Sequence, residues 1–128
     1  MQIKELAKKY HLDPVTDFWE LARGSTKKWI LTHDAVERIA TIEGIIFHPP
    51  EIRTGEDNTN VAMVGLAELG DNKVWTTGEA SSHNCKNPYF WAMAEKRLKD
   101  RLTLKLINAY EYGIYSEDEA DAFRRTDA

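Results

Sequence analysis

Between Pro88 and Gly113 the chain carries no helix breaker. The spacing predicts one helix over residues 89–109, about 30 Å long at 1.5 Å per residue. A helix of that length must bury one face against a surface of matching length, so it dictates the rest of the fold. Wound at about 100° per residue, Trp91, Leu98, Leu102 and Ala109 form one stripe, flanked by Ala94 and Leu106. Arg97, Arg101 and Lys105 form a neighbouring stripe at i, i+4 and i+8. Residues 86–105 hold six basic residues against two acidic ones, Glu95 and Asp100. A row of cations beside an apolar face can track a polyanion.

That basic row sits in an acidic chain. The 128 residues carry a net charge of −4, and residues 111–128 alone contribute six acids and two arginines, again −4. The tail therefore sets the overall sign, and the rest is neutral with local basic patches. Bulk charge argues against a generic nucleic-acid coat, which would be basic throughout. The length suits one domain, 1–128, with one core. No apolar run approaches the roughly 18 residues of a membrane span. Residues 1–6 lack the apolar core of a signal peptide. The single cysteine, Cys85, excludes an internal disulfide and suits a reducing compartment. A cytoplasmic protein with no membrane partner is expected.

Three segments are expected: an N-terminal helical segment over 1–26, an α-β-β-β-α core over 27–110, and an acidic segment over 111–128. Residues 3–10 read as a short helix. Asp13 as N-cap with Pro14 at the first helical position predicts a second helix to residue 22. Residues 27–31 read as a short extended stretch. Thr32 or Asp34 caps a helix to Glu43, stopped by Gly44. Residues 45–48 form a strand cut by Pro49-Pro50, and residues 53–60 a loop. Residues 61–69 are small and apolar throughout, which predicts a strand covered on both faces. Gly70-Asp71-Asn72 is a hairpin turn. Residues 73–80 return as a strand, with Val74, Thr76 and Gly78 on one face and Lys73, Trp75, Thr77 and Glu79 on the other. Ser116 with Glu119 is a capping box for a last short helix, whose apolar edge, Ala120 and Phe123, favours contact with a neighbouring protomer over the alternative, a tail that folds back and competes with a polyanion for the basic stripe. The expected fold class is α+β, with a three-stranded antiparallel meander lying under the long helix.

His11, His33, His48 and His83 show no paired spacing, and no HExxH or CxxC accompanies them, so no metal is expected. Cys85 near Ser81 and His83 reads as an incidental loop cysteine rather than a nucleophile. No glycine-rich phosphate loop occurs. Of Glu43, Glu51, Glu56, Asp57, Glu68 and Glu79, only Glu68 and Glu79 fall on strong strands, where they could form a Mg²⁺-binding pair. Trp29 follows Lys27 and Lys28, and Trp75 follows Lys73 by two. An aromatic beside a cation suits stacking of an unpaired base, although strand aromatics also serve as packing partners.

The run Gly78-Glu79-Ala80-Ser81, then Asn84, Asn87-Pro88 and Ala92-Met93-Ala94-Glu95-Lys96-Arg97-Leu98-Lys99-Asp100-Arg101-Leu102, is similar to a pattern in phage and prophage single-strand annealing proteins. These are related to ERF-type recombinases and the eukaryotic Rad-type annealing proteins. Tyr115-Ser116-Glu117-Asp118-Glu119-Ala120-Asp121 and Trp29-Ile30-Leu31-Thr32-His33 extend the resemblance over residues 27–123. It departs at Leu98, where many relatives have Ala, which implies a wider gap between helix and sheet. The resemblance implies ATP-independent binding and annealing of single-stranded DNA, with no catalytic residue, cofactor or metal. Arg97, Lys99, Arg101 and Lys105 would hold phosphates. Lys27, Lys28, Lys73 and Lys86 would add charge, and Trp29 and Trp75 would offer stacking surfaces. It also implies a homo-oligomer and a single-strand-binding or exonuclease protein as partner. A small metal-dependent nuclease built on Glu68 and Glu79, and a non-catalytic protein-interaction module, are the alternatives.

Overall fold

The computed structural model describes residues 2–23, 26–55, 60–82 and 89–120, the side chains of residues 22, 23 and 26 excepted. It is an α+β single domain. Helix α1 spans Ile3–Lys9 and buries Leu6. The Asp13–Pro14 signal produces only one turn. The Asp13 carboxylate accepts from the Val15 N–H at 2.8 Å, and the Asp17 carboxylate accepts from the Asp13 N–H at 2.6 Å. The expected helix to residue 22 does not form. Strand β1, Phe18–Arg23, takes its place and pairs antiparallel with β2, Thr26–Leu31. Here tertiary pairing overrides a local helix start: Phe18 stacks edge-on against Trp29 with ring centroids 5.7 Å apart.

Helix α2, His33–Glu43, is bounded by local chemistry. Thr32 caps its start by accepting from the Ala35 N–H at 3.2 Å, and Gly44 ends it in the left-handed region at φ 72°. Strand β3, Ile46–Phe47, stops at Pro49-Pro50, as expected, but the chain resumes as β4, Glu51–Thr54, partly within the expected loop. The long strands β5, Asn60–Leu69, and β6, Asn72–Ser81, form a hairpin through Gly70 at φ 60°. β3 and β4 pair with one side of β5, end to end, and β6 pairs with the other. The expected three-stranded meander is therefore present with a broken first strand.

Helix α3, Phe90–Leu106, crosses the meander. It is shorter than expected because Asn108 turns left-handed at φ 59°, and the chain continues as a 3₁₀ turn over Ala109–Tyr112. Strand β7, Ile114–Ser116, then adds in parallel to β2. Sheet β1-β2-β7 was not expected from the sequence, since its third strand is only three residues long. A helix opens at Glu117 behind the expected capping box: Glu119 receives both the Ser116 hydroxyl, at 3.3 Å, and the Ser116 backbone.

Two cores meet at α3. Leu98, Leu102, Ala94 and Leu106 pack on Val61, Met63, Ala67 and Ala80 of the meander. Leu104 and Ile107 join α1, α2 and the β1-β2-β7 sheet through Leu6, Leu31, Ile39 and Ile114. Helix and sheet approach closely around Leu98. A methyl built on Gly78 would lie 2.4 Å from the Ala94 carbonyl oxygen, and one on Gly65 2.7 Å from a Leu98 methyl. Two glycines beneath the helix thus absorb the larger side chain. Strand β5 is covered on one face only: Val61, Met63, Gly65 and Ala67 are buried, whereas Ala62, Val64 and Leu66 are exposed. No helix is long and apolar enough to cross a membrane among the described residues.

Candidate nucleic-acid interface

The cationic stripe of α3 exists, and it lies along the outer edge of β6. Arg97 donates to the Glu79 carbonyl at 2.7 Å, Arg101 to the Thr77 carbonyl at 2.7 Å, and Lys105 to the Trp75 carbonyl at 3.1 Å. The spacing explains the match. Four helical residues rise about 6 Å and two strand residues about 6.8 Å, so successive rungs stay in register. Arg101 also grips the Glu79 carboxylate with both terminal nitrogens, at 3.2 Å each. Glu79 belongs to the face of β6 turned away from α3, so Arg101 wraps around the strand edge to reach it.

Lys105 wraps likewise. Its ammonium sits 5.9 Å from the centroid of Trp75, within cation–π range. Trp75 is 65% exposed, on the open face of the meander, directly across from Leu66. Val64, Leu66 and Ile46 are exposed on that same face. Lys73 stands two residues before Trp75 and faces Glu68 at 3.6 Å. The structure thus gathers Lys73, Trp75, Arg101 and Lys105 at one rim.

Other expected site residues lie elsewhere. Arg97 is 9% exposed and is held between the Glu79 carbonyl and Asp118, 3.9 Å away. Lys99 points to the opposite flank, paired with Glu95 at 2.9 Å and 5.7 Å from the Phe47 ring. Lys27, Lys28 and Trp29 belong to the other sheet. There Lys28 lies over Tyr115, 5.0 Å from its centroid, and Trp29 packs against Phe18. Lys86, like Cys85, lies outside the described residues. Trp91 is 47% exposed and, with Pro49, Pro50, Ile52 and Met63, lines a cleft of about 420 Å³ beside α3.

The Glu68–Glu79 carboxylate pair does not form. Glu68 faces Lys73 across the hairpin, and Glu79 faces Ala62, six residues further along β5. That separation is about 20 Å at 3.4 Å per residue. Glu68 instead binds His48, which holds its carboxyl below the usual range, with Lys73 adding to the effect. No cluster of three metal-ligating side chains occurs among the described residues.

A polar cluster that the sequence did not signal fills the far side of α3. Asp100 is 1% exposed, and its carboxylate meets His33 Nδ1 at 2.7 Å, while His33 Nε2 lies 3.1 Å from Glu37. Glu117 accepts from the His33 backbone N–H at 2.8 Å. Burial pushes the Asp100 carboxyl up to about 7, against the pull of His33, and burial likewise raises Asp118 and Glu119. One oxygen each of Asp100 and Asp118 has no hydrogen-bond partner among the described residues. The cluster ties the start of the C-terminal helix to α2 and α3, so the first turn of the acidic segment packs within its own chain. No family model matches this chain, and neither a curated protein nor a solved structure matches it significantly.

Proposed function

We propose that this protein binds single-stranded DNA on the open face of the meander and anneals it to a complementary strand without nucleotide hydrolysis. One observation carries the reading: Trp75, 65% exposed on a sheet face, with a lysine ammonium 5.9 Å from its ring. An indole standing free on a strand has lost the packing that ordinarily justifies its place there. Stacking of a base on such a ring is worth about 1–3 kcal/mol and tolerates any sequence. Leu66 and Val64 extend the apolar surface beside it. Lys73, Arg101 and Lys105 stand where phosphates flanking a stacked base would pass. Stacking uses the flat face of a base and leaves its pairing edge open to a second strand. Pairing then supplies its own driving force, about 1.4 kcal/mol per stacked step, so no nucleotide cofactor is called for. The resemblance in residues 78–102 points to the same activity.

The test is a titration of single-stranded and duplex oligonucleotides of equal length, followed by tryptophan fluorescence. Quenching by the single strand that Trp75→Ala removes is the expected result. The reading fails if duplex binds as tightly or if Trp75→Ala binds like the parent.

A further inference from the structure

Arg101 and Lys105, which rim the site, also close a sheet edge together with the buried Arg97. Strand β6 has β5 on one side and, among the described residues, no strand on the other. Its outer carbonyls at Trp75, Thr77 and Glu79 are taken by Lys105, Arg101 and Arg97. In an antiparallel ladder, the N–H and C=O of one residue point to the same side, so the N–H groups of these residues line the same edge. An uncovered edge of this kind is a template for another strand. The guard is made of side chains rather than backbone, and its members differ in how firmly they are held. Arg97 is buried and bound to Asp118, whereas the Arg101 side chain is 25% exposed and Lys105 is exposed.

The opposite edge of the same sheet is β4, whose four residues are all exposed. Arg53 of β4, Ala62 of β5 and Glu79 of β6 lie in one row on the open face. The sheet therefore carries an arginine at one edge and a glutamate at the other, at the same level. β4 and β6 both run antiparallel to β5, so a second copy in the same orientation would present β4 parallel to β6. Its Arg53 would then arrive beside Glu79. This is a head-to-tail contact, which extends rather than closes on itself after two copies.

We infer that the Arg101–Lys105 guard is removable: phosphates draw these two side chains off β6, and the freed edge pairs with β4 of a second copy, whose Arg53 replaces Arg101 on Glu79. The inference rests on the DNA-binding reading for the natural source of the phosphates. The ion pairs exchange one for one, and the edge hydrogen bonds pass from side chains to backbone. Charge at Glu79 is satisfied in both states, so neither state strands a carboxylate.

The experiment measures particle mass by sedimentation and amide exchange at residues 75–79, with single-stranded DNA and separately with inorganic polyphosphate, which has no bases. Arg53 touches neither Trp75 nor the guard, so Arg53→Glu and Arg53→Lys are the variants, each checked by thermal melt. Both polyanions are expected to raise the mass and slow exchange at residues 75–79. Arg53→Glu should abolish the rise while DNA binding persists, and Arg53→Lys should retain it. DNA bound at unchanged mass would overturn the edge exchange and leave the DNA-binding reading standing. Assembly with polyphosphate but no binding of DNA would uphold the exchange and sink that reading. Assembly of Arg53→Glu equal to that of the parent would show that β4 is not the partner strand.

Discussion

The two faces of the meander are built from the same strands and differ in what covers them. Toward α3, β5 presents Val61, Met63, Gly65 and Ala67, and β6 presents Gly78 and Ala80, all buried. Away from α3, the same two strands present Val64, Leu66 and Trp75, between 37% and 65% exposed. The covered face is small-featured and lets a helix backbone approach closely. The open face carries the largest side chain of the sheet, 65% exposed with the Lys105 ammonium over its ring. Residue type alone would have put Trp75 inside and Gly78 outside. The inversion assigns stability to the first face and leaves the second as the face proposed to meet DNA.

The largest effect expected is on the covered face. Leu102 is 1% exposed at the centre of the helix–sheet core, so Leu102→Ala should cost about 2–5 kcal/mol, read by chemical denaturation. An unchanged denaturation midpoint would break the assignment of α3's apolar side. Gly78→Ala adds a single methyl, yet that methyl meets backbone atoms of α3 at 2.4 Å and 2.6 Å. Overpacking of this kind costs about 1–3 kcal/mol, because the neighbours cannot rotate away. Gly70→Ala in the hairpin turn meets no atom within 4 Å but sits at φ 60°, so its cost reads backbone strain alone, against the clash at Gly78.

The far side of α3 adds a pH dependence. Asp100, Asp118 and Glu119 all have carboxyls raised by burial, Asp100 to about 7. The folded chain therefore holds protons that the unfolded chain releases near the ordinary carboxylate value. The contribution of these groups is complete below about pH 4, the ordinary carboxylate value, and is lost as pH rises through about 7, by linkage. A thermal melt should fall by several degrees over that window, and Asp100→Asn should flatten the slope. A melt that rises with pH through this range, unaltered by Asp100→Asn, would contradict the burial account.

Much of this was legible in the sequence, and the failures have physical causes. The bounds of α2 were readable because Thr32 and Gly44 act within one turn of themselves. The face alternation of β6 was readable because a strand's period is fixed at two. Strand β1 was missed because the Asp13-Pro14 start is genuine and yields one turn, and only pairing with β2 makes residues 18–23 extended. The double covering expected for β5 failed because a continuous apolar run shows which residues are apolar and not how many layers exist. The stripe Arg97, Arg101 and Lys105 was found by helical phase. Its engagement with β6 was not, since that needs the helix and strand laid side by side in matching steps. The His33–Asp100 cluster joins residues 67 apart in sequence, beyond any local signal.

The smallest effect on stability should come from the open face, and it carries the central claim. The most direct measurement sets Trp75→Ala beside the parent, with a thermal melt and a single-stranded DNA titration at several salt concentrations on the same samples. The melt should move by no more than about 0.5 kcal/mol, as for an exposed side chain. Affinity should drop about 5- to 150-fold, the equivalent of about 1–3 kcal/mol of lost stacking. The salt slope should stay the same, because the cations remain. A lowered melt with DNA affinity unchanged would make Trp75 a structural residue and would contradict the account.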